Sequence, residues 1–230
     1  MRFMLKLSGE ALAGEKKTGF DEAECRRVAL QVKRLKEEGH ETGIVIGGGN
    51  FWRGRTGNEI ARVKSDQIGM LATVMNCIYV SEIFRSCGME TEIFTPFAVG
   101  TFTKLFAVDD ATRAMREGKV VFFAGGTGHP YFSTDTGVVL RAVEIGAEVL
   151  LLAKAIDGVY DADPAVNKDA KRYDRLSINE VIANNLQVVD ITASVLARDN
   201  KIEMRVFALQ EEDAIVKAAT GTFNGTVVTV

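Results

Sequence analysis

Four short apolar runs, at residues 3–7, 42–46, 120–123 and 149–152, punctuate the chain, and stretches of helical period separate them. Each run is nearly continuous in its hydrophobicity rather than alternating, which suits parallel strands covered on both faces. After the first run, Cys25, Val28, Val32 and Leu35 recur at helical spacing, and Gly39 closes that stretch. Residues 66–86 read as a longer helix stopped by Gly88, and 109–117 and 136–145 as two more. A polar segment at 173–184, a helix at 192–200, a strand at 204–207, a helix near 211–219 and a strand at 226–230 complete the pattern. Strand–helix alternation with right-handed crossovers predicts an α/β fold, a three-layer αβα sandwich around a mainly parallel central sheet.

The 230 residues suit one compact domain spanning 1–230. With 47% hydrophobic and 26% charged residues, a disordered chain is excluded. A net charge of −3 argues against nucleic-acid binding by bulk electrostatics. Cys25, Cys77 and Cys87 are odd in number and form no CxxC pair, so a disulfide framework or zinc site is not expected and a reducing cytoplasm fits. Two histidines, His40 and His129, leave little for a Ser-His-Asp hydrolase or a histidine-rich metal centre. The longest uninterrupted apolar run is closed by Glu148 and Lys154, so no membrane span is expected. Lys6 and Glu10 interrupt what would otherwise resemble a signal segment.

The 22 glycines exceed the usual share of about 7% and cluster in three turns at strand ends. These are Leu7-Ser8-Gly9, Gly47-Gly48-Gly49-Asn50 and Gly125-Gly126-Thr127-Gly128. Parallel α/β sheets bind ligands outside the carboxyl ends of their strands. Glycine turns let backbone amides approach an anion, and a following helix N-terminus adds a favourable dipole. Three such turns on one expected edge point to a polyphosphate ligand. Neither GxxxxGK[ST] nor a first-unit GxGxxG is present, so P-loop and ordinary dinucleotide-binding domains do not fit.

Charged residues flank these turns. Lys6, inside the first run, is either an edge-strand residue turned to water or a lysine facing phosphate. Arg53 follows the second turn, and its planar fork suits phosphate oxygens, although Arg55 beside it allows a plain surface reading. Asp135, Asp66 and Asp190 stand where helix caps are also expected. Phe51-Trp52 either stacks a base or packs a helix. Met70, Met75 and Ile78 read as core, Cys77 and Cys87 as buried thiols, and 168–175 as a solvated charged loop.

The runs KLSGEAL, VIGGGNFWRG, DQIGMLATVMN, GGTGHPYFSTDT, DGVYDADP and VVDITASVLARDN resemble those of bacterial uridylate kinases, in order and spacing, over essentially the whole chain. That family has the amino acid kinase fold and transfers the ATP γ-phosphate to UMP. The resemblance implies a catalytic set of Lys6, Arg53, Asp135 and Asp190. It implies that Lys6, Leu7, Ser8, Gly9, Gly49 and Arg53 line the ATP phosphates, while Lys154, Tyr160 and Asp163 hold the adenosine end. It places UMP against Gly48, Asp66, Thr127, Gly128, His129, Pro130, Tyr131, Phe132, Ser133 and Thr134. It further implies Mg²⁺ with ATP, a homohexamer built partly on the 68–84 helix, inhibition by UTP and activation by GTP. The sequence departs from the family at His129, where asparagine is common, and after Lys154, where an extra residue is common.

The scarcity of histidine agrees with such chemistry. A phosphate-monoester nucleophile is already largely ionised at neutral pH, its second pKa being about 6, so no general base is needed. Positioning two anions in line and neutralising the transferring group then suffices. Two other readings stay open: a relative that phosphorylates a carboxylate or carbamate, and a nucleotide-binding sensor or storage protein without turnover.

Overall fold

The computed structural model describes residues 1–52, 60–186 and 188–230. Strand β1 (Arg2–Leu7) leads into a short helix α1 (Gly9–Ala13), a 3-10 turn, helix α2 (Glu22–Glu37) and strand β2 (Glu41–Ile46). Helix α3 (Arg62–Ser86) precedes β3 (Thr91–Thr95) and β4 (Lys104–Leu105). Then come α4 (Val108–Arg116), β5 (Val120–Phe123), α5 (Thr134–Glu144) and β6 (Val149–Lys154). A small hairpin, β7 (Val159–Tyr160) and β8 (Arg172–Tyr173), interrupts the pattern before β9 (Arg175–Ser177), α6 (Ile178–Ala183) and α7 (Ile191–Asp199). Strand β10 (Glu203–Ala208), α8 (Ala214–Thr220) and β11 (Gly225–Thr229) follow.

Among the described residues nine strands form one sheet in the order β4-β3-β5-β2-β1-β6-β10-β11-β9. Every pairing is parallel except β10 with β11. The continuous apolar runs therefore sit where expected, in central strands with two covered faces. Period-two alternation sorts their side chains. Phe3, Leu5 and Leu7 pack with α2, α3 and α8, whereas Met4 packs with α4, α5 and α7 on the other face. Lys6 shares the parity of Met4, so it faces the α5 layer. Because β1 lies between β2 and β6, the edge-strand reading of Lys6 is overturned.

Helix α2 begins as its sequence dictates: Asp21 accepts hydrogen bonds from the Ala23 and Glu24 amides, and Gly39, at φ +83°, follows its end. Helix α3 differs from expectation in three ways. It starts at Arg62, so Asp66 lies a turn inside it and caps nothing. Its buried face carries Thr73, Asn76, Cys77, Val80 and Phe84, while Met75 and Ile78, expected in the core, are exposed. At 25 residues it is also long and apolar enough to cross a bilayer by length and composition, which the short apolar runs had not suggested. Here it packs as a core helix against the sheet. Cys87, expected to be buried, is half-exposed beside Arg26. The 168–175 run is not wholly a solvated loop, since Arg172 sits in β8 and pairs with Asp157 at 2.6 Å.

Candidate active site

The first two glycine turns hang from adjacent strands and touch. The Gly47 amide donates to the Leu7 carbonyl at 2.9 Å. A Cβ on Gly9 would stand 2.3 Å from Asn50 Oδ1 and 2.4 Å from the Gly47 carbonyl oxygen, so only glycine allows this approach. The third turn leaves β5 with Gly125, Gly126 and Gly128 all at positive φ, and Thr73 Oγ1 accepts the Gly125 amide at 2.8 Å. Leu7 itself is a fully buried core side chain, so only its backbone could serve a ligand.

Lys6, at the carboxyl end of β1, pairs with Asp135 at 2.6 Å. Asp135 lies in the first turn of α5, but the cap there is Ser133, whose side chain accepts the Thr136 amide. The capping reading of Asp135 therefore gives way to an ion pair. Asp190 is a true N-cap: it accepts the Ala193 amide at 3.0 Å at the start of α7. It also receives the Ser133 and Thr136 hydroxyls, binding α7 to the start of α5. Partial burial works against its ionisation, yet the donors from Ser133, Ala193 and Thr136 outweigh it and keep this carboxyl below the usual range. Lys154, at the end of β6, donates to the Val188 carbonyl. Burial pushes its ammonium below the ordinary lysine range; the Asp135 carboxylate opposes that shift and Lys6 adds to it. Lys6, Asp135 and Lys154 thus form one electrostatic cluster.

A cleft of ≈ 440 Å³ opens over these groups. Lys6, Ser8, Gly9, Gly48, Gly49, Asp66, Thr127, His129, Phe132, Ser133, Thr134 and Asp135 all line it. Gly128, Pro130 and Tyr131 belong to the same loop without lining the cleft, and neither Asp190 nor Lys154 reaches its wall. Asp66 is a bridge: it accepts the Tyr131 amide at 2.8 Å and pairs with Arg62 one turn earlier at 2.9 Å. Arg62 also stands over the Tyr131 ring, 5.4 Å from its centroid. His129 forms a local turn, its amide donating to Thr127 Oγ1 at 3.2 Å. Trp52 lines the cleft with its indole N–H on Ser65 Oγ at 3.0 Å, while Phe51 packs edge-on against Phe20.

Tyr160 and Asp163 lie apart from this cleft, around the β7–β8 hairpin. The Tyr160 hydroxyl donates to Asp157 at 2.8 Å, a bond that pushes its phenol up. Asp163 accepts the Ala165 amide at 2.9 Å in a tight turn. Arg53 lies outside the described residues. Sequence reasoning passed over Asn76, Thr73 and Arg62, which hold the turns and the Asp66 bridge. A polar Asn76 amid the apolar run of α3 was the available signal.

Backbone amides and one lysine, gathered at the carboxyl ends of parallel strands, can hold a chain of phosphates and neutralise charge as it moves between two anions. Such an arrangement on an α/β sheet suits phosphoanions without a GxxxxGK[ST] loop. The chain belongs to the amino acid kinase family, whose model matches residues 1–208. Among solved structures it is similar to the UMP kinase of Bacillus anthracis, at 34% identity and TM-score 0.95, with 99% of this chain and 95% of that one covered. The UMP kinase of Ureaplasma parvum is 30% identical, with TM-score 0.94 and 100% and 99% covered. The uridylate kinase of Archaeoglobus fulgidus is 25% identical, with TM-score 0.75 and full coverage of both chains. The mostly parallel sheet with helices on both faces is the fold of these enzymes.

Proposed function

We propose that this chain transfers the γ-phosphoryl group of ATP to UMP, giving ADP and UDP, as a single kinase domain over 1–230. The observation that carries the reading is the shared cleft: the Lys6–Asp135 pair, the glycine turns, Asp66 and the 127–134 loop all meet one space. In it Lys6, Ser8, Gly9 and Gly49 hold the ATP phosphates, and Gly48, Asp66 and the 127–134 loop hold UMP; Arg53, outside the described residues, is assigned to the ATP phosphates as well. Tyr160, Asp163 and Lys154 serve the adenosine end. Lys6 and Arg53 draw charge from the transferring group, Asp135 orients Lys6, and Asp190 acts through the Ser133 hydroxyl. The UMP phosphate attacks as a dianion, so catalysis rests on alignment and charge neutralisation.

Among the described residues no group of three His, Cys, Asp or Glu side chains is placed to hold a metal. Asp66, Asp135 and Asp190 each already have protein partners. That donor set fits Mg²⁺ carried on the ATP phosphates with most of its waters, and of the cleft carboxylates we assign Asp135, beside Lys6, to face it. Bound there, the ion would screen the phosphate charge.

The exposed stripe Ile68, Leu71, Met75 and Ile78 on α3, at helical spacing, supports self-association through this helix, and a homohexamer is the assembly we infer. UTP inhibition, GTP activation, a cytoplasmic location and a place in pyrimidine nucleotide synthesis complete the reading. A coupled ADP-release assay with UMP, CMP, dUMP, N-acetylglutamate and carbamate tests it. UMP-selective turnover is expected. Turnover of a carboxylate or carbamate alone, or tight nucleotide binding with no turnover at all, would overturn it.

A further inference from the structure

The second glycine turn is held by a buried amide pair. Asn50 and Asn76 are 3% and 0% exposed. Asn50 Nδ2 donates to Asn76 Oδ1 at 3.0 Å and to the Gly19 carbonyl at 2.8 Å. Asn76 Nδ2 donates to Asn50 Oδ1 at 2.8 Å and to the Gly47 carbonyl at 2.7 Å. All four amide hydrogens therefore have acceptors, and both side-chain oxygens are used. Thr18 Oγ1 adds a bond to the Asn50 carbonyl at 2.9 Å. Three residues earlier on the same helix, Thr73 takes the Gly125 amide of the third turn. Residues one helical turn apart lie on one face. One face of α3 thus grips two of the three turns.

A fully satisfied buried polar network fixes a single geometry, because any slip strands a donor in a dry interior. We propose that Asn76, through its amide pair with Asn50, is a positioning residue that sets where the backbone of Gly47, Gly48 and Gly49 stands in the cleft. The proposal rests on the kinase reading for its kinetic consequence, but not for its structural one. Neither asparagine lines the cleft in place of the glycines; both act on ligand through the backbone they hold.

The test uses the full chain with Asn76→Ala and Asn76→Asp. In N76A the Gly47 carbonyl loses its donor, and kcat with ATP and UMP is expected to fall on the order of 10²-fold, the cost of misplacing reacting groups by about 1 Å. In the ligand-free protein, hydrogen exchange at the Gly47, Phe51 and Trp52 amides, which close the turn, should quicken about tenfold or more, while Val28 and Val32 in α2 keep wild-type protection. In N76D the ionised side chain faces two acceptors. Burial raises its pKa, so protonation restores one donor, and the ratio of N76D kcat to wild-type kcat rises as pH falls from about 8 to 6. Should N76A not fold, N76D carries the test through that rise. Unchanged exchange at the three turn amides overturns the proposal, as does a kcat within about twofold of wild type when exchange has quickened. If the wild-type chain fails to phosphorylate UMP, the kinase reading falls, and the exchange measurement still decides whether the amide pair holds the turn.

Discussion

Replacing Gly9 by alanine tests the contact between the first two turns. The added Cβ would lie 2.4 Å from the Gly47 carbonyl oxygen and 2.3 Å from Asn50 Oδ1, against about 3.4 Å for an ordinary contact. The neighbours are a backbone atom and a side chain already fixed by Asn76, so neither can swing away. The turns must part by about 1 Å. Forced overpacking of this kind costs about 1–3 kcal/mol. For a chain of this size that lowers Tm by roughly 2–12 °C. The rate should suffer more, because a 1 Å misplacement costs on the order of 10²-fold when two anions must align. Gly47→Ala is the control: its Cβ would meet only the Gly9 nitrogen and the Leu7 carbonyl oxygen at 3.8 Å, so its melting point should match wild type. The assay pairs thermal melting with coupled ADP release at saturating ATP and UMP. A Gly9→Ala protein that melts and turns over like wild type would refute the claim that the two turns are in fixed contact.

Lys6→Ala should lower kcat by about 10²–10³-fold, the effect of removing one donor to developing charge, while melting changes little because the Lys6–Asp135 pair is partly solvated; near-normal turnover removes Lys6 from the catalytic set. The Asp190 carboxyl titrates below its unfolded value of about 3.9. It therefore contributes stability that is present above about pH 4 and lost as pH falls through the folded value. Asp190→Asn should be less stable at neutral pH and lose less on acidification, and a wild-type acid slope in denaturant melts of the variant would count against this. Burial pushes the Cys25 and Cys77 thiols up to about 12, with nearby Asp21 and Glu24 adding to the effect at Cys25. Alkylation of the native protein near pH 8 should label Cys87 alone, with the other two reacting only on unfolding; rapid loss of all three thiols would contradict it.

The central strands are legible in the sequence because a short, continuous apolar run suits a strand covered on both faces. Strand β3 is hidden, since Glu92 interrupts its apolar residues to meet Lys104 and Lys119 near the sheet edge. Helix α1 is hidden too, because its five residues begin with glycine and are too few for a periodic signal. The buried face of α3 escapes for a related reason: the helix is apolar nearly all round, so composition alone does not say which side meets the sheet. At the site, residue types beside the glycine turns raised the expectation of an anion, and the turns do meet in one cleft. What they could not announce was pairing across the chain. Asp190 finds Ser133 57 residues away, Asn76 finds Asn50 across 26, and Asp66 finds the Tyr131 amide across 65. Such partners are set by the topology of the sheet and leave no local trace.

Strand β1 lies between β2 and β6, pairing Phe3 with Thr42 on one side and with Val149 on the other. This strand is thus in the middle of the sheet, and Lys6 belongs to it. At roughly 5–20 residues per second of synthesis, β6 emerges about 7–30 s after β1 does. From the emergence of β2, about 2–8 s after β1, until then, β1 and the glycine turn after it have only β2 to pair with, and the other edge is bare. The cleft end of the molecule must therefore be assembled late, and a chaperone that shields the exposed edge of β1 would act on the same segment to which we assign the chemistry.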